Sequence, residues 1–299
     1  FPSRLDLTRD DVIEIRAKTV TEMSISGVQE KISLRLERGH LEPVAEDGQH
    51  ILKPVPGLSV PRHPSEVPAN ESLTMQIAAQ VYGIEVAPNA CIRFADGELA
   101  YITRRFDRKP DGTRIAQEDF CQLMGRTPET SSGQNYKYDA SYEEVGEILR
   151  RYVGAYAVQI EELFRRIVYN YLVANGDAHL KNFSLRRNEE FGDYLLTPAY
   201  DLLCTKLHVP DETRLALALF EGGDHPDGVT THGFVTGADL LDLADRYDIP
   251  RRRAVEIVDA IVEGKDDAKT LVEQSFLSEA AKKTYAEILD DRARALQVR

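Results

Sequence analysis

Asn175-Gly176-Asp177-Ala178-His179-Leu180-Lys181-Asn182, with Tyr200-Asp201 further on, is the most informative part of the chain. Asp177 and Asn182 stand five apart, a spacing that phosphoryl transfer asks for. One carboxylate must accept the proton of an attacking hydroxyl. One neutral amide oxygen must hold a metal ion nearby without adding negative charge beside phosphates. A second carboxylate, Asp201, then suits the metal that bridges phosphates. Asn-Gly-Asp is also ordinary turn chemistry, so the spacing needs support from the rest of the chain.

Reading outward, a helix predicted over about Val158–Asn175 carries an apolar stripe of Ile160, Leu163, Phe164, Ile167, Val168, Tyr171 and Leu172, and Gly176 stops it. Two short strands, Phe183–Arg187 and Tyr194–Thr197, lie between the loop and Asp201. Upstream, Lys31–Leu36 alternates with period two and ends at Arg38-Gly39, and Ile51-Leu52-Lys53 is a strand closed by Pro54. A helix is expected from Asn70, as N-cap, to Tyr82, with Gly83 behind it. Strands around Ala90–Phe94 and Leu99–Arg104 flank the hairpin signal Asp96-Gly97. Thr127–Asp139 reads as a polar loop, and Ser141-Tyr142-Glu143-Glu144 opens a helix as a capping box. From about Gly237 the chain is helical.

A β-rich first third followed by helices predicts an α+β fold of two lobes, laid out like a protein kinase. The expected segments are an N-terminal lobe over 1–116, a hinge over 117–122 and a helical lobe over 123–299. Lys53 then falls where a kinase keeps its phosphate-binding lysine, and Glu71 is its candidate ion-pair partner. Glu71 is equally suited to favour a helix N-terminus. Ser24-Ile25-Ser26-Gly27-Val28-Gln29-Glu30-Lys31 precedes Lys53 in the place of a phosphate loop. Its single glycine matches neither common phosphate-loop signature, but successive backbone N–H groups can cradle phosphate.

Taken together, these blocks resemble the HipA-type Ser/Thr kinases. The resemblance runs through Ser24–Lys31, Ile51–Pro54, Asn70-Glu71, Arg104–Arg108, Gln117–Gln122, Gly176–Ser184 and Leu196–Asp201, in family order. Asp201-Leu202-Leu203 lacks the glycine of the usual kinase tripeptide. The resemblance implies that Asp177 is the catalytic base and that Asn182 and Asp201 bind Mg²⁺. Lys53 would contact the phosphates of ATP, under backbone groups of Ser26, Gly27, Val28, Gln29, Glu30 and Lys31. Main-chain atoms of Glu118 and Phe120 would hold adenine. Lys181 is a candidate point charge on the transferring group, and His179 has a catalytic and a structural reading. The resemblance further implies a toxin that phosphorylates an aminoacyl-tRNA synthetase and modifies itself at Ser24, Ser26 or both. Its implied partners are a DNA-binding HipB-like antitoxin and a separate small HipS-like protein. With 23 residues before Ser24, the chain is most like the short HipT form, which lacks an N-terminal subdomain.

Composition excludes some classes. Net charge is −13, against direct grip of a phosphate backbone. Three scattered cysteines, Cys91, Cys121 and Cys204, read as reduced thiols of a cytoplasmic protein. No membrane-length apolar run is present. Two other readings stand beside the first: a small-molecule kinase of the aminoglycoside or choline type, because Gly-Asp-x-His-x-x-Asn resembles their loop too, and a non-catalytic kinase-like binding module.

Overall fold

The computed structural model describes residues 2–12, 14, 30–57, 60–109, 111–131, 133–190 and 192–299. Ser24, Ser26, Gly27, Val28 and Gln29 of the expected phosphate loop lie outside them; Glu30 and Lys31 lie within.

The N-terminal part is a five-stranded antiparallel sheet of β1 (Ile32–Glu37), β2 (His40–Pro43), β3 (His50–Lys53), β4 (Asn89–Arg93) and β5 (Leu99–Arg104), in the order β2-β1-β3-β5-β4. Period-two alternation fixes its register. Leu34, Leu52, Ile92 and Ile102 point into one core with Phe94 and Ala100. Arg38-Gly39 joins β1 to β2 with positive φ at both residues, the backbone a tight hairpin requires. Lys53 pairs with Tyr101 at the end of β3.

Helix α1 spans Val67–Gln80 and starts four residues earlier than predicted. Its N-cap is Glu66, so Asn70 does not cap it. Pro68, which offers no N–H, is tolerated in the first turn, where donors lack helical partners. Eleven of its 14 residues are buried, so no polar face marks its start. Ala69, Leu73, Met75, Ile77 and Ala78 share a core with Tyr169 and Leu172 of the C-terminal part, separate from the sheet's own core. The core therefore does not divide along the segments 1–116 and 123–299: α1 is wedged between them.

The rest is a three-stranded sheet of β6 (Gln117–Asp119), β7 (Ser184–Arg187) and β8 (Tyr194–Leu196), with helices α2 (Phe120–Leu123), α3 (Tyr142–Tyr152), α4 (Tyr156–Leu172), α5 (Asp227–His232), α6 (Gly237–Arg246), α7 (Arg251–Glu263), α8 (Lys265–Glu273) and α9 (Glu279–Gln297). Ser141 and Glu144 form the expected reciprocal cap of α3. All seven residues of the predicted α4 stripe are buried. This helix ends before Asn175 because Ala174 takes a left-handed φ of 51°. Thr127–Asp139 is not loop throughout: Gly133–Tyr138 winds into a 3₁₀ turn. Among the described residues, no helix is long and apolar enough to cross a membrane.

Candidate active site

Lys53 is 4% exposed and lies between two carboxylates brought from far along the chain. Its Nζ is 2.5 Å from Glu71 Oε1 in α1, and it also contacts Asp201 Oδ1. Burial disfavours the Lys53 ammonium, but Asp201 and Glu71 hold its pKa well above the usual lysine value. Burial likewise works against the Asp201 charge, and Lys53 and Lys31 override it, holding that carboxyl far below its usual range. Lys31 Nζ stands 3.5 Å from Asp201 Oδ2. Glu71, only 2% exposed, is pushed up by burial against the pull of Lys53.

Asp201 has a left-handed φ of 54°, uncommon for a residue with a Cβ and typical of constrained sites. Its carboxylate is 3.5 Å from Asn182 Nδ2. The Asn182 Oδ1 accepts the His179 N–H at 3.1 Å, leaving a second lone pair. The loop carrying both is folded by short-range hydrogen bonds: His179 N–H to Asp177 carbonyl (2.8 Å) and Asn182 N–H to His179 carbonyl (2.9 Å). Asn175 bridges the two acidic residues, accepting from Asp177 N–H at 3.2 Å and donating to the Asp201 carbonyl at 3.5 Å. Gly176 allows the close approach of Glu212, which accepts its N–H at 2.9 Å where a Cβ would collide.

Asp177 is half exposed. Tyr138 donates its hydroxyl to Asp177 Oδ1, and Lys137 Nζ lies 3.9 Å from the same oxygen. His179 Nε2 is 3.8 Å away, but burial lowers the pKa of this imidazole to about 4. At neutral pH it is uncharged and packs edge-on against the Tyr138 ring, with centroids 5.2 Å apart. The positive charge beside Asp177 therefore comes from Lys137. Lys181 rests over the Tyr136 ring at 5.0 Å. Burial opposes its charge, yet the Tyr136 hydroxyl and Asp119 raise its pKa.

Glu118 and Phe120 lie on β6 and at the start of α2. The Phe120 N–H donates to the Phe183 carbonyl at 3.1 Å, so this amide is already engaged. Glu118 faces Leu185 in the same register, and alternation turns the main-chain groups of Gln117 to the open edge of β6. The sequence reading missed Tyr138, Lys137, Tyr136, Asn175 and Glu212. Three consecutive residues with long polar or aromatic reach, Tyr136-Lys137-Tyr138, inside an otherwise small and polar stretch were the available signal for the first three.

Residues 23–268 match the family described as HipA-like C-terminal domain. A Haemophilus influenzae protein named "Putative kinase" is 28% identical over 93% of this chain and 82% of its own length. A Sinorhizobium fredii protein of the same description, Y4mE, is 31% identical over 92% of this chain and 64% of its length. In structure, the chain is similar to HipA of Shewanella oneidensis, solved with HipB and operator DNA, at a TM-score of 0.70 and 21% identity. That match covers 97% of this chain and 71% of the other. It is also similar to the Helicobacter pylori proinflammatory kinase CtkA, at a TM-score of 0.54 and 14% identity, over 88% of this chain and 90% of the other. With its two-part α+β fold and the family match extending across its whole charged cleft, this chain is a member of the HipA-like C-terminal domain family.

Proposed function

We propose that the chain is an ATP- and Mg²⁺-dependent protein Ser/Thr kinase, the toxin of a toxin–antitoxin pair. One observation carries the reading: Lys53 bridges Glu71 and Asp201, with Asn182 beside Asp201 and Asp177 in the same loop. The donor set fits a hard divalent cation, since Asp201 and Asn182 supply a carboxylate and a neutral amide oxygen. Two ammonium groups already gather on Asp201, which supports a cation there. Mg²⁺, when bound, would supply charge neutralisation on the phosphates of ATP. Lys53 and Lys31 would turn from Asp201 towards those phosphates. Asp177 would accept the proton of the attacking serine hydroxyl, a role its half-exposed carboxylate suits. The hydrogen bond that Tyr138 donates to Asp177 supports this role, since it is of the kind a substrate hydroxyl would make.

The target proposed is a serine of an aminoacyl-tRNA synthetase, whose modification would inhibit translation and arrest growth. A HipB-like antitoxin is the proposed partner, because the solved Shewanella complex holds HipA with HipB. A small HipS-like protein is proposed as a second. Autophosphorylation at Ser24 and Ser26 is proposed to be inhibitory: a phosphate adds roughly −1.5 to −2 charges where ATP phosphates should bind. The test is transfer of labelled γ-phosphate from Mg-ATP to a panel of synthetases, by wild type and Asp177→Asn. Labelling of one synthetase, lost in the variant, is expected. Labelling of aminoglycosides or choline instead, or of nothing by dephosphorylated protein, would overturn the reading.

A further inference from the structure

Asn70 is fully buried, and all four hydrogen-bonding valences of its amide are used. Its Nδ2 donates to the Cys204 carbonyl at 2.9 Å and to His208 Nε2 at 2.8 Å. Its Oδ1 accepts the Cys204 N–H at 3.2 Å and the Thr74 hydroxyl at 3.1 Å. One side chain of α1 thus holds both main-chain groups of a residue 134 positions away. Because Nδ2 can only donate, His208 Nε2 is the acceptor, and its Nδ1–H is left to donate to the Arg62 carbonyl at 3.0 Å.

We infer that Asn70 is a positioning residue for Asp201, an inference that rests on the proposed kinase function. Asn70 neighbours Glu71, and Cys204 follows Asp201 by three residues. Two linkages therefore join α1 to the Asp201 segment. The ionic one runs Glu71–Lys53–Asp201. The neutral one runs Asn70–Cys204. In the proposed reaction Lys53 turns to phosphate and Asp201 to a cation, so the ionic linkage is given up when Asp201 most needs to be held. The amide clamp involves neither charge and persists. It also fixes the far end of a segment that starts with a left-handed Asp201, a conformation that survives only where its surroundings impose it. The near end is fixed by the Asn175 amide on the Asp201 carbonyl.

The experiment measures Mn²⁺ binding in the presence of ADP, by electron paramagnetic resonance, with melting temperature alongside. Asn70→Ala removes the clamp. Tyr285→Phe is the control: it deletes the hydrogen bond from Tyr285 to Thr74 in the same buried joint and leaves Cys204 alone. Groups that orient a metal's ligands typically change affinity about 10- to 100-fold when removed. Asn70→Ala is expected to weaken Mn²⁺ binding about tenfold or more, while Tyr285→Phe lowers the melting temperature and leaves Mn²⁺ affinity within about twofold. Asn70→Asp, which keeps the acceptor for the Cys204 N–H and lacks the donor, serves if the alanine variant does not fold; it too should weaken binding. Unchanged affinity in the Asn70 variants, or an equal loss in Tyr285→Phe, overturns the inference while the kinase reading stands. Wild type that binds no Mn²⁺ with ADP overturns both.

Discussion

Replacing Lys53 by Met should destabilise the protein strongly, and a second substitution should undo most of that damage without restoring activity. Lys53 and Glu71 are nearly inaccessible, and the Asp201 side chain is 29% exposed. With Lys53 present, two carboxylates share one ammonium, and Lys31 adds a second at 3.5 Å. In Lys53→Met, Glu71 keeps its burial and loses its partner. Breaking a buried pair from one side costs about 3–5 kcal/mol. For a chain of this size that lowers the melting temperature by on the order of 5–15 °C. Glu71 already has a raised pKa, and losing Lys53 raises it further. A carboxyl whose folded pKa exceeds its unfolded value of about 4.3 favours the folded state only at low pH. The deficit of Lys53→Met should therefore shrink as pH falls toward about 4 and be largest at neutral pH. Lys53→Met with Glu71→Leu removes both buried charges. Apolar replacement of a whole buried pair is often neutral or stabilising, so the double variant should recover most of the loss. Both variants should be dead in γ-phosphate transfer. Urea melts at several pH values with the transfer assay provide the check. A single variant as stable as wild type, or a double variant no more stable than the single, would refute the buried-pair account.

Three more outcomes are expected. In α3, Gly146→Ala should destabilise by about 1–3 kcal/mol, although alanine ordinarily favours a helix by about 1 kcal/mol, because the new Cβ would lie 2.6 Å from Tyr247 Cδ1 in a packed core; equal or higher stability in a thermal melt would count against that packing. Burial lowers the pKa of His50, His179 and His208, so stability from their neutral forms is complete above about pH 6.5 and lost as pH falls. For His179, at about 4, the loss between pH 7.5 and 5.5 is about 1 kcal/mol, and substituting it by Gln should remove that part of the slope. Ser24→Asp with Ser26→Asp should weaken ATP binding measured by calorimetry, and unchanged affinity would refute loop self-inhibition.

What the sequence made legible was local. Period-two alternation gave β1, proline and hairpin signals bounded β3 and β5, and the seven-residue stripe gave α4, because each signal is local to one element or one turn. The Asp177–Asn182 spacing was legible for the same reason: it lies within one loop. Asn70 shows the limit. An Asn ahead of an apolar stretch is a reasonable cap, but α1 is buried nearly all round, and in such a helix polarity ceases to mark an end. What occupies Asn70 is the backbone of Cys204, and backbone partners leave no trace in side-chain patterns. Tyr138 was hidden similarly, by a polar stretch whose 3₁₀ turn is defined by the loop it packs against.

The same distinction explains how the cleft is built. The groups that would touch phosphate or acceptor stand at chain ends or in loops: Lys53 ends β3, Asp177 and Asn182 sit in one turn, and Asp201 follows a short strand. Their supports are buried residues within helices: Glu71 and Asn70 in α1, and Asn170, which accepts from Asn175 at 2.9 Å, in α4. The α1–α4 contact is itself pinned by the Tyr169 hydroxyl on the Thr74 carbonyl at 2.5 Å. A substitution in α1 therefore reaches Lys53 and Asp201 together, although neither lies in that helix. A helix that shares its core with the C-terminal part and lies against β4 and β5 ties the two sides of the cleft together.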